Sequence, residues 1–201
     1  MFTITKDEFL YHIKEDPNCG LSTFLRFSEI NDIKETFLKW YSSVASTFAN
    51  NNSLKTNSTD FQKHSDKLIE MEGGGMCYNN SQKILIMDDT FSYCEGFYST
   101  NHHSTFKPIS NHAFNSKCYK IADFTVTLNE TITSYFYFGI SIPNKDAIKL
   151  LEIALADSNK ILDSKSAVLS LTIPYFLLLT EGEDFLRNKK WYFTPPDMIN
   201  N

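Results

Sequence analysis

The chain has 201 residues, 42% of them hydrophobic, with a formal net charge of −5 and a pI near 5.5. This length and apolar content suffice for one substantial core, and the 17 Phe and 10 Tyr argue against a disordered segment. The acidic balance argues against nucleic acid or an anionic membrane surface as the main partner and would suit a basic protein.

The cysteines and the apolar segments predict the compartment. Residues 1–15 mix Lys, Asp and Glu with apolar residues, which is not the basic-then-apolar order of a signal peptide. The longest apolar run, 167–179, contains Pro174 and is too short to span a bilayer. The cysteines stand without paired spacing, at Cys19, Cys77, Cys94 and Cys118. These features predict a cytoplasmic protein with reduced thiols and no membrane segment.

The N-terminal third is predicted to be helical. Between residues 28 and 49 apolar residues recur at helical spacing, at Ile30, Ile33, Phe37, Trp40, Tyr41, Val44 and Phe48. Residues 50–59 are rich in Asn, Ser and Thr, which favour turns and predict a loop. We expect one domain over residues 1–201, with a helical part over 1–71 and a sheet-containing part over 76–201.

The next segment is predicted to contain two strands and a long loop. The apolar run 83–88 has the length of a short buried strand, and 91–98 could pair with it as a hairpin. Residues 99–116 are polar and are predicted to form a loop, and loops of that length are often functional.

The pattern over residues 117–163 predicts a strand, a tight turn, a second strand and a helix. Along 131–142 apolar residues fall on alternate positions, as on a strand with one buried face, and helical spacing follows from 144. We therefore expect an α+β fold in which an antiparallel sheet, built around this ββα unit, packs against the helical N-terminal third. Residues 167–180 fit either a buried strand broken at Pro174 or a helix that begins there.

One enzyme hypothesis uses Cys19, His112 and Asp123. Cys19 follows a turn and precedes a potentially helical segment, and a helix N-terminus favours a nucleophilic thiolate. His112 lies just before a predicted strand, and Asp123 lies on that strand, where it could orient the imidazole. This order resembles that of papain-like cysteine hydrolases, although Asn18-Cys19-Gly20-Leu21-Ser22 replaces their Cys-Gly-Ser-Cys-Trp signature. The resemblance implies a hydrolase or transferase; a buried Cys, a loop His and an edge Asp explain the same residues without catalysis.

Zinc-ligating residue types occur at Cys94, His102, His103 and Cys118. They lack the closely spaced pairs of a structural zinc site, so exposed loop residues explain them more simply.

Two further motifs are also explained without a ligand. Asp88 and Asp89 follow an apolar run, as do some Mg²⁺-binding carboxylates, but the chemistry of a hairpin turn accounts for both. The run 73–75 of three glycines is followed by neither Lys-Ser/Thr nor a clear helix, unlike a phosphate loop. The sequence therefore predicts no metal and no cofactor.

The leading functional expectation is a non-catalytic module that binds another protein, and the acidic charge would suit a basic partner. An acidic balance with aromatic residues beside Asn/Ser-rich loops is the profile of bacterial immunity proteins, which inhibit a cognate toxin. The predicted partner-binding residues are Asp88, Asp89, Tyr93, Glu95, Phe97 and Tyr98.

Overall fold

The computed structural model describes residues 7, 11, 31–48, 63, 64, 68, 76–102, 105, 106, 110–118, 120–125, 135–156 and 170–188. In chain order they form α1 (Asn31–Val44), β1 (Ser46–Phe48), α2 (Cys77–Met87), β2 (Ser92–His102), β3 (Thr105–Phe106), β4 (Ser110–Lys117), β5 (Lys120–Ala122), β6 (Tyr135–Ile142), α3 (Asn144–Leu155), α4 (Thr172–Thr180) and α5 (Glu183–Asn188). The fold is α+β, as the sequence predicts.

The strands form an antiparallel sheet in the order β1-β6-β2-β4-β5, and β3 pairs with the end of β2. β6 shows the predicted alternation, because Phe138, Ile140 and Ile142 are buried in one core cluster while Gly139 and Ser141 face the other way. β6 followed by α3 confirms the second half of the predicted ββα unit.

Only part of the first half of that unit lies among the described residues. The strand observed in this region is β5, and Phe124 lies in the turn that follows it. Residues 126–134, where the predicted turn would fall, lie outside the described residues. β6 instead pairs with β1 on one side and β2 on the other.

Helices cover one face of the sheet, and this packing includes the predicted N-terminal helix. The ring of Tyr41 in α1 lies 6.0 Å from that of Phe138 in β6, and Phe37 lies 5.4 Å from Phe176 in α4. α1 is shorter than the predicted helix over 28–49, since it ends at Val44 and the chain continues into β1, the edge strand beside β6.

The apolar run 83–88 is helical, not a strand. It forms the second half of α2, whose buried side chains include Ile84 and Leu85. Polar side chains of the same helix, from Asn79 to Gln82, are also buried. Burial of these polar residues removes the amphipathic contrast, so the short apolar run alone could not distinguish a helix from a strand.

The predicted loop over 99–116 is wrong for the residues that the structure describes, because they belong to β2, β3 and β4. β4 pairs with β2 over seven residue pairs, from Ser92↔Ser116 to Tyr98↔Ser110. Polar residues of β4 make tertiary hydrogen bonds: the Asn115 amide Nδ2 donates to the carbonyl oxygen of Ser81 in α2 at 3.0 Å. The polar composition of residues 99–116 therefore did not indicate β4, although this strand is buried in part.

The two alternatives for 167–180 are settled in favour of a helix over the part described. α4 begins at Thr172, so Pro174 falls in its first turn, where a missing backbone N–H costs no hydrogen bond. Among the helices of the described residues, none has the length and apolar character needed to cross a bilayer.

Candidate functional site

The sheet brings His112 and Asp123 into contact. His112 lies on β4 and Asp123 directly follows β5, which pairs with β4 in antiparallel register. The ring nitrogen Nε2 of His112 is 2.5 Å from Oδ2 of Asp123. Both residues are buried, with 3% and 5% of their surface exposed. These are two members of the triad proposed from the sequence.

The cysteine beside them is Cys77, whereas Cys19 lies outside the described residues. Cys77 is the first residue of α2, is 6% exposed, and interacts with the His112 ring closely enough to help raise the pKa of that imidazole. The imidazole of His112 therefore interacts with both a carboxylate, through Nε2, and the side chain of Cys77.

The electrostatic surroundings favour a charged imidazole. Burial opposes protonation of His112, but the Asp123 carboxylate outweighs it through its charge and its hydrogen bond, helped by Cys77, and raises the pKa of His112 from 6.5 to about 10. His112 is thus an imidazolium at neutral pH, held between a carboxylate and a thiol. An imidazolium beside a thiol at a helix N-terminus is the environment of reactive cysteines.

The N-terminus of α2 adds backbone donors to this site. The first bond within the helix runs from the Asn80 N–H to the carbonyl oxygen of Met76 at 2.8 Å, so the N–H groups of Cys77 and its two successors have no acceptor inside the helix. Met76 provides no side-chain cap, and the first turn contains no acidic residue. The positive end of the helix dipole therefore coincides with the thiol.

Two tyrosines surround the histidine and aspartate. The Tyr137 hydroxyl on β6 donates to Oδ2 of Asp123 at 2.7 Å, and the Thr125 N–H donates to Oδ1 at 3.0 Å. The half-buried Tyr98 on β2 packs its ring 4.4 Å from that of His112. Burial, Asp123 and Cys77 together raise the pKa of the Tyr98 hydroxyl, so this phenol stays protonated near the site.

The other described cysteines lack such a base. Cys94 is buried on β2, contacts the Ser116 hydroxyl at 3.4 Å, and has its pKa raised by burial to about 11. Cys118 is exposed, in the tight turn between β4 and β5, with a φ of 50°. Both serve as internal references for the reactivity of Cys77. Since one is buried and the other exposed, they do not form a pair of zinc ligands either.

The six predicted partner-binding residues do not form one surface. Tyr93, Glu95 and Phe97 alternate along β2 toward the helices and are buried. Burial removes these three side chains from the reach of a partner in the folded protein. Of the remaining three, Tyr98 is half-buried beside His112 and on the opposite face of β2.

Asp88 and Asp89 lie in a turn between α2 and β2, not in a hairpin. Asp88 is mostly buried and accepts hydrogen bonds from the N–H and hydroxyl of Thr90 at 3.1 and 2.6 Å, and contacts His64 at 3.1 Å. These interactions, led by the Thr90 hydroxyl, hold the pKa of Asp88 well below its usual range. Asp89 is exposed.

Sequence reasoning missed Cys77, although a signal was present. The argument applied to Cys19, a thiol at a helix N-terminus, applies equally to the cysteine that follows the glycines of 73–75 by two residues. Because a strand was predicted over 83–88, no helix was expected to begin at Cys77. Comparisons with protein-family models, curated proteins and solved structures returned no match for this chain.

Proposed function

We propose that this protein is a cysteine-dependent enzyme that hydrolyses or transfers an acyl group. Cys77 is the nucleophile, His112 the general base and acid, and Asp123 the residue that orients the imidazole. The observation that carries this proposal is the contact of a single imidazole with both a helix N-terminal thiol and a carboxylate. Such a nucleophile–base–orienting group arrangement is the signature of covalent acyl transfer, including Cys-His-Asn sites of papain-like enzymes.

The proposed reaction begins from an ion pair in which Nδ1 of His112 already carries the proton of the Cys77 thiol. The sulfur attacks the carbonyl carbon of an amide, ester or thioester, and the electron pair of the C=O bond moves to oxygen. The N–H groups at the start of α2 are placed to donate to this oxyanion. The intermediate collapses as the bond to the leaving group breaks, and the imidazolium returns its proton to that group. Water, or an acceptor nucleophile in a transferase, then gives its proton to His112 and attacks the thioester carbonyl; the C–S bond breaks, the acyl group leaves with the nucleophile, and the ion pair of Cys77 and His112 is restored.

A structural role for the same three residues is the main alternative. A buried His–Asp pair can stabilise a sheet without catalysis, since burying a charge is tolerable only when it is paired. That role does not require a thiol on the second ring nitrogen or a helix N-terminus without a side-chain cap. The enzyme hypothesis uses every one of these features, which is why we favour it over the non-catalytic binding module; that hypothesis stays a prediction.

The proposal also fits a reducing compartment. Cys77, Cys94 and Cys118 are all free thiols. A nucleophilic thiol has to stay reduced to function, and the cytoplasm keeps thiols reduced. We therefore infer a cytoplasmic location.

The first test measures the reactivity of each thiol. Iodoacetamide alkylates thiols that it can reach, Cys77 is 6% exposed, and mass spectrometry of peptides gives the labelling rate at each cysteine. We expect Cys77 to react at pH 7 at least about tenfold faster than Cys118, despite the greater exposure of Cys118. With p-nitrophenyl acetate as a generic acyl donor, we expect a burst of nitrophenolate equal to the protein concentration and an acetyl group on Cys77.

The controls separate the triad from ordinary thiol chemistry. Cys118→Ser should leave the burst unchanged, whereas Cys77→Ser and His112→Ala should abolish it and Asp123→Asn should weaken it. Urea-unfolded protein should label all its cysteines at similar rates. A Cys77 that reacts no faster than Cys118, or at a rate that His112→Ala does not change, contradicts the proposal.

A further inference from the structure

The carboxylate of Asp123 is held by a residue from a third strand. Its oxygen Oδ2 accepts from two donors, Nε2 of His112 at 2.5 Å and the hydroxyl of Tyr137 at 2.7 Å. Oδ1 accepts the Thr125 N–H at 3.0 Å. Tyr137 is 2% exposed, so water does not compete for this hydrogen bond.

Tyr137 reaches Asp123 across the central strand. In the sheet, β2 separates β6, which carries Tyr137, from β4 and β5. At the crossing, β2 presents Gly96, whose neighbours in register are Gly139 on β6 and His112 on β4. Gly96 therefore contributes no side chain between β6 and the imidazole, and the rings of Tyr137 and His112 lie 6.0 Å apart.

The glycine pair Gly96 and Gly139 also sets the distance between β2 and β6. A Cβ atom at Gly96 would lie 2.1 Å from the carbonyl oxygen of Phe138, and one at Gly139 would lie 2.3 Å from that of Glu95. Real Cβ atoms do not approach a backbone so closely, so only glycine permits this separation. The two glycines thus help to bring the Tyr137 hydroxyl within reach of a carboxylate at the end of β5, the third strand from β6 in the sheet.

We infer that Tyr137 is a positioning residue for the Cys77–His112–Asp123 site, an inference that rests on the proposed function. By donating to Oδ2, its hydroxyl fixes the Asp123 carboxylate in the orientation that accepts Nε2–H of His112, which leaves Nδ1 facing Cys77. Without this donor the carboxylate rotates about its side-chain bonds, and the contact between imidazole and thiol loosens.

The test compares Tyr137→Phe with Tyr93→Phe in the full-length chain. Tyr93 is a matched control because it is equally buried and its hydroxyl also donates to a buried carboxylate, Oε2 of Glu95 at 3.0 Å, on the opposite face of β2. NMR signals of the His112 ring give its titration midpoint, and iodoacetamide gives the labelling rate of Cys77. The groups that face this ring, and whose titration must be followed with it, are Cys77, Tyr98 and Asp123.

We expect Tyr137→Phe to lower the titration midpoint of His112 and to slow labelling of Cys77 roughly tenfold. Tyr93→Phe should change neither. A midpoint that is unchanged or raised in folded Tyr137→Phe overturns the inference, because the hydroxyl would then only satisfy a buried carboxylate. If Tyr137→Phe does not fold, 3-fluorotyrosine at position 137 retains the ring and strengthens the donor; a shifted His112 midpoint supports the inference and an unshifted one overturns it.

The outcomes also separate this inference from the function on which it rests. If labelling of Cys77 in the unmodified protein does not depend on His112, the proposed enzyme fails. If that dependence is present but Tyr137→Phe matches the unmodified protein in both measurements, the enzyme stands and the positioning role fails.

Discussion

Glu95 is a buried carboxylate on the helix-covered face of β2, where it caps the start of α4. It accepts from the Leu171 N–H at 2.7 Å, the Tyr93 hydroxyl at 3.0 Å and the Ser170 hydroxyl. Burial raises the pKa of Glu95, and the hydrogen bonds from Ser170 and Leu171 offset part of that shift. Since the folded pKa exceeds the usual 4.5, the stabilising form is protonated; this contribution is complete below pH 4.5 and is lost as pH rises through the raised pKa.

We predict that Glu95→Gln gains stability relative to the unmodified protein as the pH rises from 4 to 7. The neutral amide keeps an acceptor for Leu171 N–H but never carries the buried charge. The difference between the two free energies of unfolding should grow by at most about 1.4 kcal/mol per pH unit. Urea unfolding of both proteins at several pH values measures this difference in the free energy of unfolding. Glu95→Ala, which leaves the donors unpaired, should be destabilised throughout by about 1–3 kcal/mol. Parallel pH curves for Glu95→Gln and the unmodified protein would contradict the raised pKa.

At the scale of single elements, the sequence identifies those in which one face alone is buried. β6 and α3 have such faces, and their alternating and helical patterns predict them directly. The patterns of α2 and β4 do not predict these elements, because each element buries polar side chains that form hydrogen bonds with another element. The amide of Asn115 on β4, for example, donates to the backbone of α2. A pattern of hydrophobicity carries no record of such tertiary bonds.

The close approach of Gly96 on β2 to Gly139 on β6 leads to a prediction about the stability of this strand pair. Gly139→Ala should lower the free energy of unfolding by about 3 kcal/mol, because its Cβ would lie 2.3 Å from the carbonyl oxygen of Glu95 and the strands would have to separate. Gly182→Ala is the control: its φ of 87° disfavours alanine, but no atom lies within 4 Å of the new Cβ. We expect Gly182→Ala to lower the free energy of unfolding by about 1 kcal/mol. If urea unfolding shows equal losses of free energy for the two variants, the destabilisation of Gly139→Ala comes from backbone strain and not from the contact between the strands.

Over the whole molecule, the site could be predicted only in part. The sequence placed His112 and Asp123 together because they flank and occupy one predicted strand, and two adjacent strands do hold them. The proposed nucleophile, Cys77, reaches His112 only through the packing of α2 against β4, and no sequence pattern links these two segments. Tyr137 was predicted as part of a strand, but the contact of its hydroxyl with Asp123 spans β2 and β4, and the local pattern of β6 gives no indication of it. Long-range topology therefore decides what local patterns leave open.

The dependence of the site on the whole fold predicts cooperative unfolding. The ring of Trp40 in α1 lies 5.2 Å from Phe176 in α4, and the neighbouring Tyr41 contacts Phe138 of the sheet, so the helices and the sheet share one core. In a Trp191→Phe background, Trp40 fluorescence reports the helical layer and the labelling ratio of Cys77 to Cys118 reports the site. Both should change at the same urea concentration, because neither layer buries its apolar face without the other. Labelling lost at lower urea than fluorescence would mean that the sheet opens independently, and the single-domain expectation would fail with it.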